Sequence, residues 1–206
     1  MNVMALARQE RSELADFLER LTPDQWEVES LCEGWRVRDV VGHLISYEDH
    51  GTADLLRRLA RARFRLGELN QVALAEYADL DTHQLIAFLR SHLDPRGSTA
   101  HFGGRVGLVD ALVHQQDIRR PLGMPRAVPE ERLRYALPFA VTAPPLRGFW
   151  NARGVRLVAT DLDWSRGSGP EARGTAEAVL MVLAGRTGIA QELTGPGADI
   201  LQRRLG

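Results

Sequence analysis

Over the first two-thirds of the chain, apolar residues recur every three and four positions rather than every two. That spacing predicts packed helices. Leu14, Phe17, Leu18 and Leu21 make one helix face. Thr22-Pro23-Asp24-Gln25 ends that helix and starts a short one, with Thr22 as cap, Pro23 at the first helical position and Gln25 at the capping-box position. After a loop over 30–35, one long helix is predicted over 37–66. Its buried stripe is Val37, Val40, Val41, Leu44, Leu55 and Leu59. A third helix is predicted over 82–93, with Asp81 as N-cap and Gln84 three residues on. A turn over 94–98 leads to a fourth helix over 105–120, which Pro121 and Gly123 end.

From about Met124 the pattern changes. Pro125, Pro129, Pro138, Pro144 and Pro145 punctuate a region with a predicted helix at 130–139 and a strand at 155–160. A loop at 167–170, an apolar helix at 176–184 closed by Gly185, and a short helix at 198–205 complete it. The expected fold class is mainly α. A four-helix bundle spans 1–124, and a small mixed α/β domain follows over 125–206.

Composition narrows the function. With 26 basic and 27 acidic residues and a net charge of -1, the chain lacks the basic excess of a nucleic-acid binder. Every basic residue is arginine, which excludes a Schiff-base or P-loop lysine and leaves proton transfer to His, Asp, Glu, Tyr or Cys. The single cysteine, Cys32, excludes an intrachain disulfide and fits a reducing cytoplasm. Charges at Arg8, Glu10, Arg11, Glu13, Asp16, Glu19 and Arg20 argue against a signal peptide, and no apolar run is long enough for a membrane helix. There is no Gly-x-Ser-x-Gly nucleophile elbow.

The fourth helix carries the chemistry. Asp110 and His114 stand at i and i+4, one above the other, on a face shared with Val106, Val113 and Asp117. Such a pair either points into the bundle as two metal ligands or stays outside as an ion pair. A third ligand must come from another helix. His43, beside the apolar stripe in Val40-Val41-Gly42-His43-Leu44, is the candidate; the alternative is a core histidine bonded to a carbonyl. His92 precedes a turn and is expected in solvent, and His101 lies in a loop.

At this point the sequence resembles a family. Residues 31–44, Leu-Cys-Glu-Gly-Trp-Arg-Val-Arg-Asp-Val-Val-Gly-His-Leu, are similar to the signature of the mycothiol-dependent maleylpyruvate isomerase family. So are residues 110–123, Asp-Ala-Leu-Val-His-Gln-Gln-Asp-Ile-Arg-Arg-Pro-Leu-Gly, together with residues 159–164 and 193–197. The resemblance implies a DinB-like four-helix bundle that holds a divalent metal, usually zinc, through His43, Asp110 and His114. It departs at Asp110, where the isomerase itself looks to carry Glu; that places the isomerase activity in question more than the metal site.

The implied function is a metal- and mycothiol-dependent isomerase or S-transferase acting on a small electrophile, in an actinobacterial cytoplasm, as a monomer or homodimer. Its partners would be a small-molecule substrate and a low-molecular-weight thiol. The alternative is a non-catalytic, metal-stabilised ligand-binding or sensing module. The thiol would come from mycothiol, because the protein offers only Cys32, which is read as a small residue packing beneath a helix start. Asp117 is expected to face solvent or pair with an arginine rather than orient His114. Asp161 and Asp163 are read as solvated carboxylates at a strand end. Trp26 and Trp35 are read as core or pocket wall. Asn70 either lines the pocket or serves a helix end or loop.

Overall fold

In the computed structural model, residues 2–48, 57, 58, 60, 61 and 66–205 are described, with 66–69 described by backbone alone. The chain divides into two units, Met1–Pro125 and Arg126–Gly206.

In the first unit, α1 (Val3–Leu18) is capped by the Asn2 side chain, which accepts the Met4 N–H at 3.1 Å. Helix α2 (Pro23–Trp26) follows, and the Thr22 N–H donates to Gln25 Oε1 at 2.9 Å as the capping-box pattern predicts. Next come α3 (Val37–Ile45), α4 (Leu66–Ala75), α5 (Thr82–Ser91) and α6 (Arg105–Arg119). The Asp81–Gln84 box opens α5, with Gln84 N–H to Asp81 Oδ1 at 2.8 Å and Asp81 N–H to Gln84 Oε1 at 2.9 Å. Helices α1 and α3 each pack against both α5 and α6. These four elements close a bundle around Leu14, Phe17, Leu18, Val40, Val41, Leu44, Leu85 and Ile118.

The helix predicted over 37–66 is not continuous. It ends at Ile45, where Ser46 turns its hydroxyl back onto the His43 carbonyl at 2.7 Å. Two residues on, Glu48 turns into the core. It accepts from Arg11 Nη2 at 2.6 Å, Thr99 Oγ1 at 2.9 Å and the Arg96 N–H at 3.0 Å. The Ser46 N–H also reaches the His43 carbonyl at 3.1 Å, the tighter bonding of a helix end, a local competition that apolar periodicity does not record. Leu55 and Leu59 of the predicted stripe lie outside the described residues.

In the second unit, α7 (Glu130–Thr142) and α8 (Gly148–Ala152) precede a three-stranded sheet of β1 (Arg156–Ala159), β2 (Ser165–Arg166) and β3 (Glu171–Gly174). Its order is β2-β1-β3. Leu157 faces Arg166 across an antiparallel pair and Ala172 across a parallel one. Helix α9 (Ala176–Leu183) packs against the sheet and both preceding helices, and α10 (Pro196–Leu205) packs against β3 and α8. Asp161 is exposed but not merely solvated: its Oδ1 accepts the Ala176 N–H at 2.7 Å and so caps α9. No helix among the described residues is long and apolar enough to cross a membrane.

Candidate metal centre

Helices α3 and α6 meet inside the first unit, and each contributes a histidine there. His43 stands on the buried face of α3 behind Val40, and His114 on α6 one turn after Asp110. Asp110 Oδ1 lies 3.5 Å from His114 Nε2 and 4.0 Å from His43 Nε2, and the two rings meet edge to face at 4.9 Å. The structure therefore brings all three sequence-predicted residues together, with their ligating atoms within 4.8 Å of one another. Donors about 2.0–2.2 Å from a tetrahedral zinc stand about 3.3 Å apart, so this set of two imidazoles and one carboxylate fits such an ion with small adjustments. Although one methylene shorter than Glu, Asp110 reaches both rings.

Behind His114 lies a second layer. Asp117 is completely buried, at 0% exposure, and its Oδ2 lies 2.8 Å from His114 Nδ1. This corrects the expectation that Asp117 faces solvent or an arginine. It stands three residues after His114 on the same helix face, and α6 is buried almost all round. With the Nδ1 proton donated to Asp117, the neutral ring presents its Nε2 lone pair toward Asp110 and His43. The Cys32 thiol donates to the same Asp117 oxygen at 3.2 Å and lies 3.8 Å from His114 Nδ1. Cys32 does pack against the core beside the start of α3, as read from the sequence, but it is also a polar neighbour of the cluster.

The loop before α3 holds Cys32 in place. Val37 N–H bonds Val28 O and Ser30 N–H bonds Trp35 O, pairing the two sides of the loop. Gly34, at φ +74°, supplies the left-handed turn between them. The Leu31 N–H then donates to the Asp117 carbonyl at 3.0 Å, fastening the loop to α6. On its other side the loop presents Trp35, whose ring lies 5.0 Å from His43. Tyr47 meets His43 edge-on at 5.2 Å and donates its hydroxyl to Asn70 Oδ1 at 2.7 Å. Asn70 thus takes part through Tyr47, and Trp35 serves as a wall, whereas Trp26 is core.

The electrostatics follow from this burial. Desolvation opposes charge on the His114 ring. Hydrogen bonds to Asp117 and Cys32 and the charges of Asp110 and Asp117 outweigh it, pushing its pKa up to about 10. An ion entering at Nε2 must displace a proton. Burial, and then the charge of Asp110, push the Tyr47 phenol up to about 12 against the opposing effect of Arg58, so it stays a neutral hydroxyl. The remaining histidines lie elsewhere. His83 and His101 are exposed, and His50 lies outside the described residues. His92, expected in solvent, is instead buried: it stacks on Phe88 at 4.4 Å with Nδ1 2.8 Å from Ser91 Oγ.

A helical bundle with two imidazoles and a carboxylate gathered between α3 and α6, followed by a small mixed unit, defines a two-unit protein with a candidate metal centre in its helical part. Residues 7–96 match the family model described as mycothiol maleylpyruvate isomerase N-terminal domain. The matched stretch includes His43 and ends before α6. Among solved structures, the chain is similar to the mycothiol-dependent maleylpyruvate isomerase, at 14% identity and a TM-score of 0.57, over 95% of this chain and 92% of that one. It is also similar to a histidine-to-alanine mutant of that isomerase, at 12% identity and a TM-score of 0.56, with the same coverage. At these identities the likeness is one of fold. No curated protein matches the chain by sequence.

Proposed function

We propose that this chain is a metal- and thiol-dependent isomerase acting on a small electrophile, with His43, Asp110 and His114 holding a divalent ion. The observation that carries the reading is the convergence of His43 Nε2, His114 Nε2 and Asp110 Oδ1 from two helices. The family match over 7–96 and the fold shared with the mycothiol-dependent isomerase support the thiol requirement. Nitrogen and carboxylate ligands suit zinc, and three protein ligands leave a position for an outside molecule. When bound, such an ion holds a thiol as its thiolate at neutral pH.

The chain's own residues have definite tasks in this scheme. Asp117 keeps a proton on His114 Nδ1, so that Nε2 is the ligand atom. Trp35 and Tyr47 wall the His43 ring and fix its orientation. The mycothiol thiol, rather than Cys32, is the nucleophile, because Cys32 is turned into the Asp117–His114 pair. Addition to a double bond followed by elimination gives isomerisation, and release of the adduct gives S-transfer; we assign the former. The lysine-free composition and single cysteine suit the cytoplasm of a mycothiol-producing actinobacterium.

The test is metal analysis of purified protein together with turnover of maleylpyruvate in the presence of mycothiol. The wild type is expected to hold one ion per chain, and His43→Ala and His114→Ala to lose the ion and all thiol-dependent turnover. Full metal in both variants overturns the site. A loaded protein with no thiol-dependent rate overturns the enzyme and leaves a metal-fastened binding module.

A further inference from the structure

The second unit contains a cavity of about 500 Å³ that the isomerase reading does not use. Its floor is apolar: Val155 and Leu157 at the start of the sheet and Leu183 at the end of α9, all buried. Phe149 forms a wall and is 61% exposed, unusual for so large an apolar side chain. Gly167 closes the turn after β2 against β1 so tightly that a Cβ there would sit 2.2 Å from the Val155 carbonyl, so only glycine allows this approach. Two cations complete the lining, Arg153 and Arg166.

These arginines differ from three others of the unit that have acidic partners. In the same unit Arg134 pairs with Glu130, and Arg156 and Arg173 both pair with Glu171. Among the described residues neither Arg153 nor Arg166 has a carboxylate partner, and the Arg153 guanidinium only lies over the Trp150 ring at 5.9 Å. An apolar cavity of this size with a few polar groups at its edge is the ordinary form of a small-molecule site. Two uncompensated guanidiniums select an anion and match a carboxylate by paired N–H donors.

We infer that this cavity binds a small carboxylate with an apolar body, its hydrocarbon against Val155, Leu157 and Phe149 and its charge toward Arg153 and Arg166. The site lies wholly within the second unit and does not depend on the metal reading.

Decanoate is a suitable probe and decanol its uncharged control, titrated calorimetrically into the full chain. Decanoate is expected to bind at least tenfold more tightly than decanol. Arg166→Gln or Arg153→Gln should each weaken decanoate severalfold and leave decanol unchanged. A carboxylate can also bind a metal, so the titration is repeated on the His43→Ala/His114→Ala double variant, in which decanoate affinity should persist. Loss of binding in that variant places the carboxylate at the metal cluster and overturns the inference. So do equal affinities for decanoate and decanol, arginine variants without effect, or no heat at millimolar decanoate.

Discussion

The interiors of the two units are built on opposite principles. The first buries Glu10, Arg11, His43, Glu48, His92, His114, Gln115, Gln116 and Asp117 among its helices; the second, among its described residues, buries only Arg132 of the charged and amide side chains. Burying charge is costly unless each group finds a partner. The first unit meets that requirement with a dense set of specific contacts, including Arg11–Glu48 and His114–Asp117. The second has an apolar interior of Leu157, Ala172, Val179, Leu180 and Leu183, and leaves its unpaired cations Arg153 and Arg166 at a cavity rim. The candidate chemistry therefore sits in the unit whose core is the more demanding to assemble.

The contrast is broken most severely at the Arg11–Glu48 pair, whose side chains are 2% and 1% exposed. Removing one partner of a buried pair costs about 3–5 kcal/mol, so Arg11→Met should unfold at much lower urea concentration than wild type. An unchanged midpoint would mean that the polar core is not under this constraint. In the second unit, Leu180→Ala should lose about 2–5 kcal/mol by cavity formation, with metal content unaltered in the folded protein. A parallel loss of metal would show that the two interiors are not independent.

Asp117→Asn is gentler. Replacing the partner that orients a ligating histidine weakens metal binding by about 10–100-fold, which equilibrium dialysis against a chelator measures; an unaltered Kd would remove Asp117 from the site. A different effect concerns pH. In metal-free protein, His114 holds its proton to about pH 10 when folded, against 6.5 for an ordinary histidine. The folded state then binds more protons than the unfolded one, so this contribution is full below pH 6.5 and declines as pH rises toward 10. Urea midpoints of the chelated protein should fall over that interval and hold steadier in His114→Gln. A wild-type midpoint that rises would refute the raised pKa.

Much of the helical layout was legible because local chemistry decides it: Asp81 with Gln84, Thr22 with Gln25, and Gly123 after α6 each act within a few residues. The gathering of His43, Asp110 and His114 was legible from the i, i+4 spacing on α6, the apolar stripe of α3 and the family resemblance. What escaped depends on contacts far apart in sequence. Arg11, read from the sequence only as a charge in the first helix, shares a face with Leu14 and Leu18, and its partner Glu48 lies 37 residues away. Asp117 occupies the His114 face in the sequence too, yet its burial becomes visible only once the 30–35 loop is laid over α6.

That loop also sets an order of events. Cys32 and Asp117 are 85 residues apart, so the support beneath His114 needs a long chain closure that helix formation alone does not supply. Competence to take up an ion should therefore arrive late in refolding, after helical ellipticity has recovered.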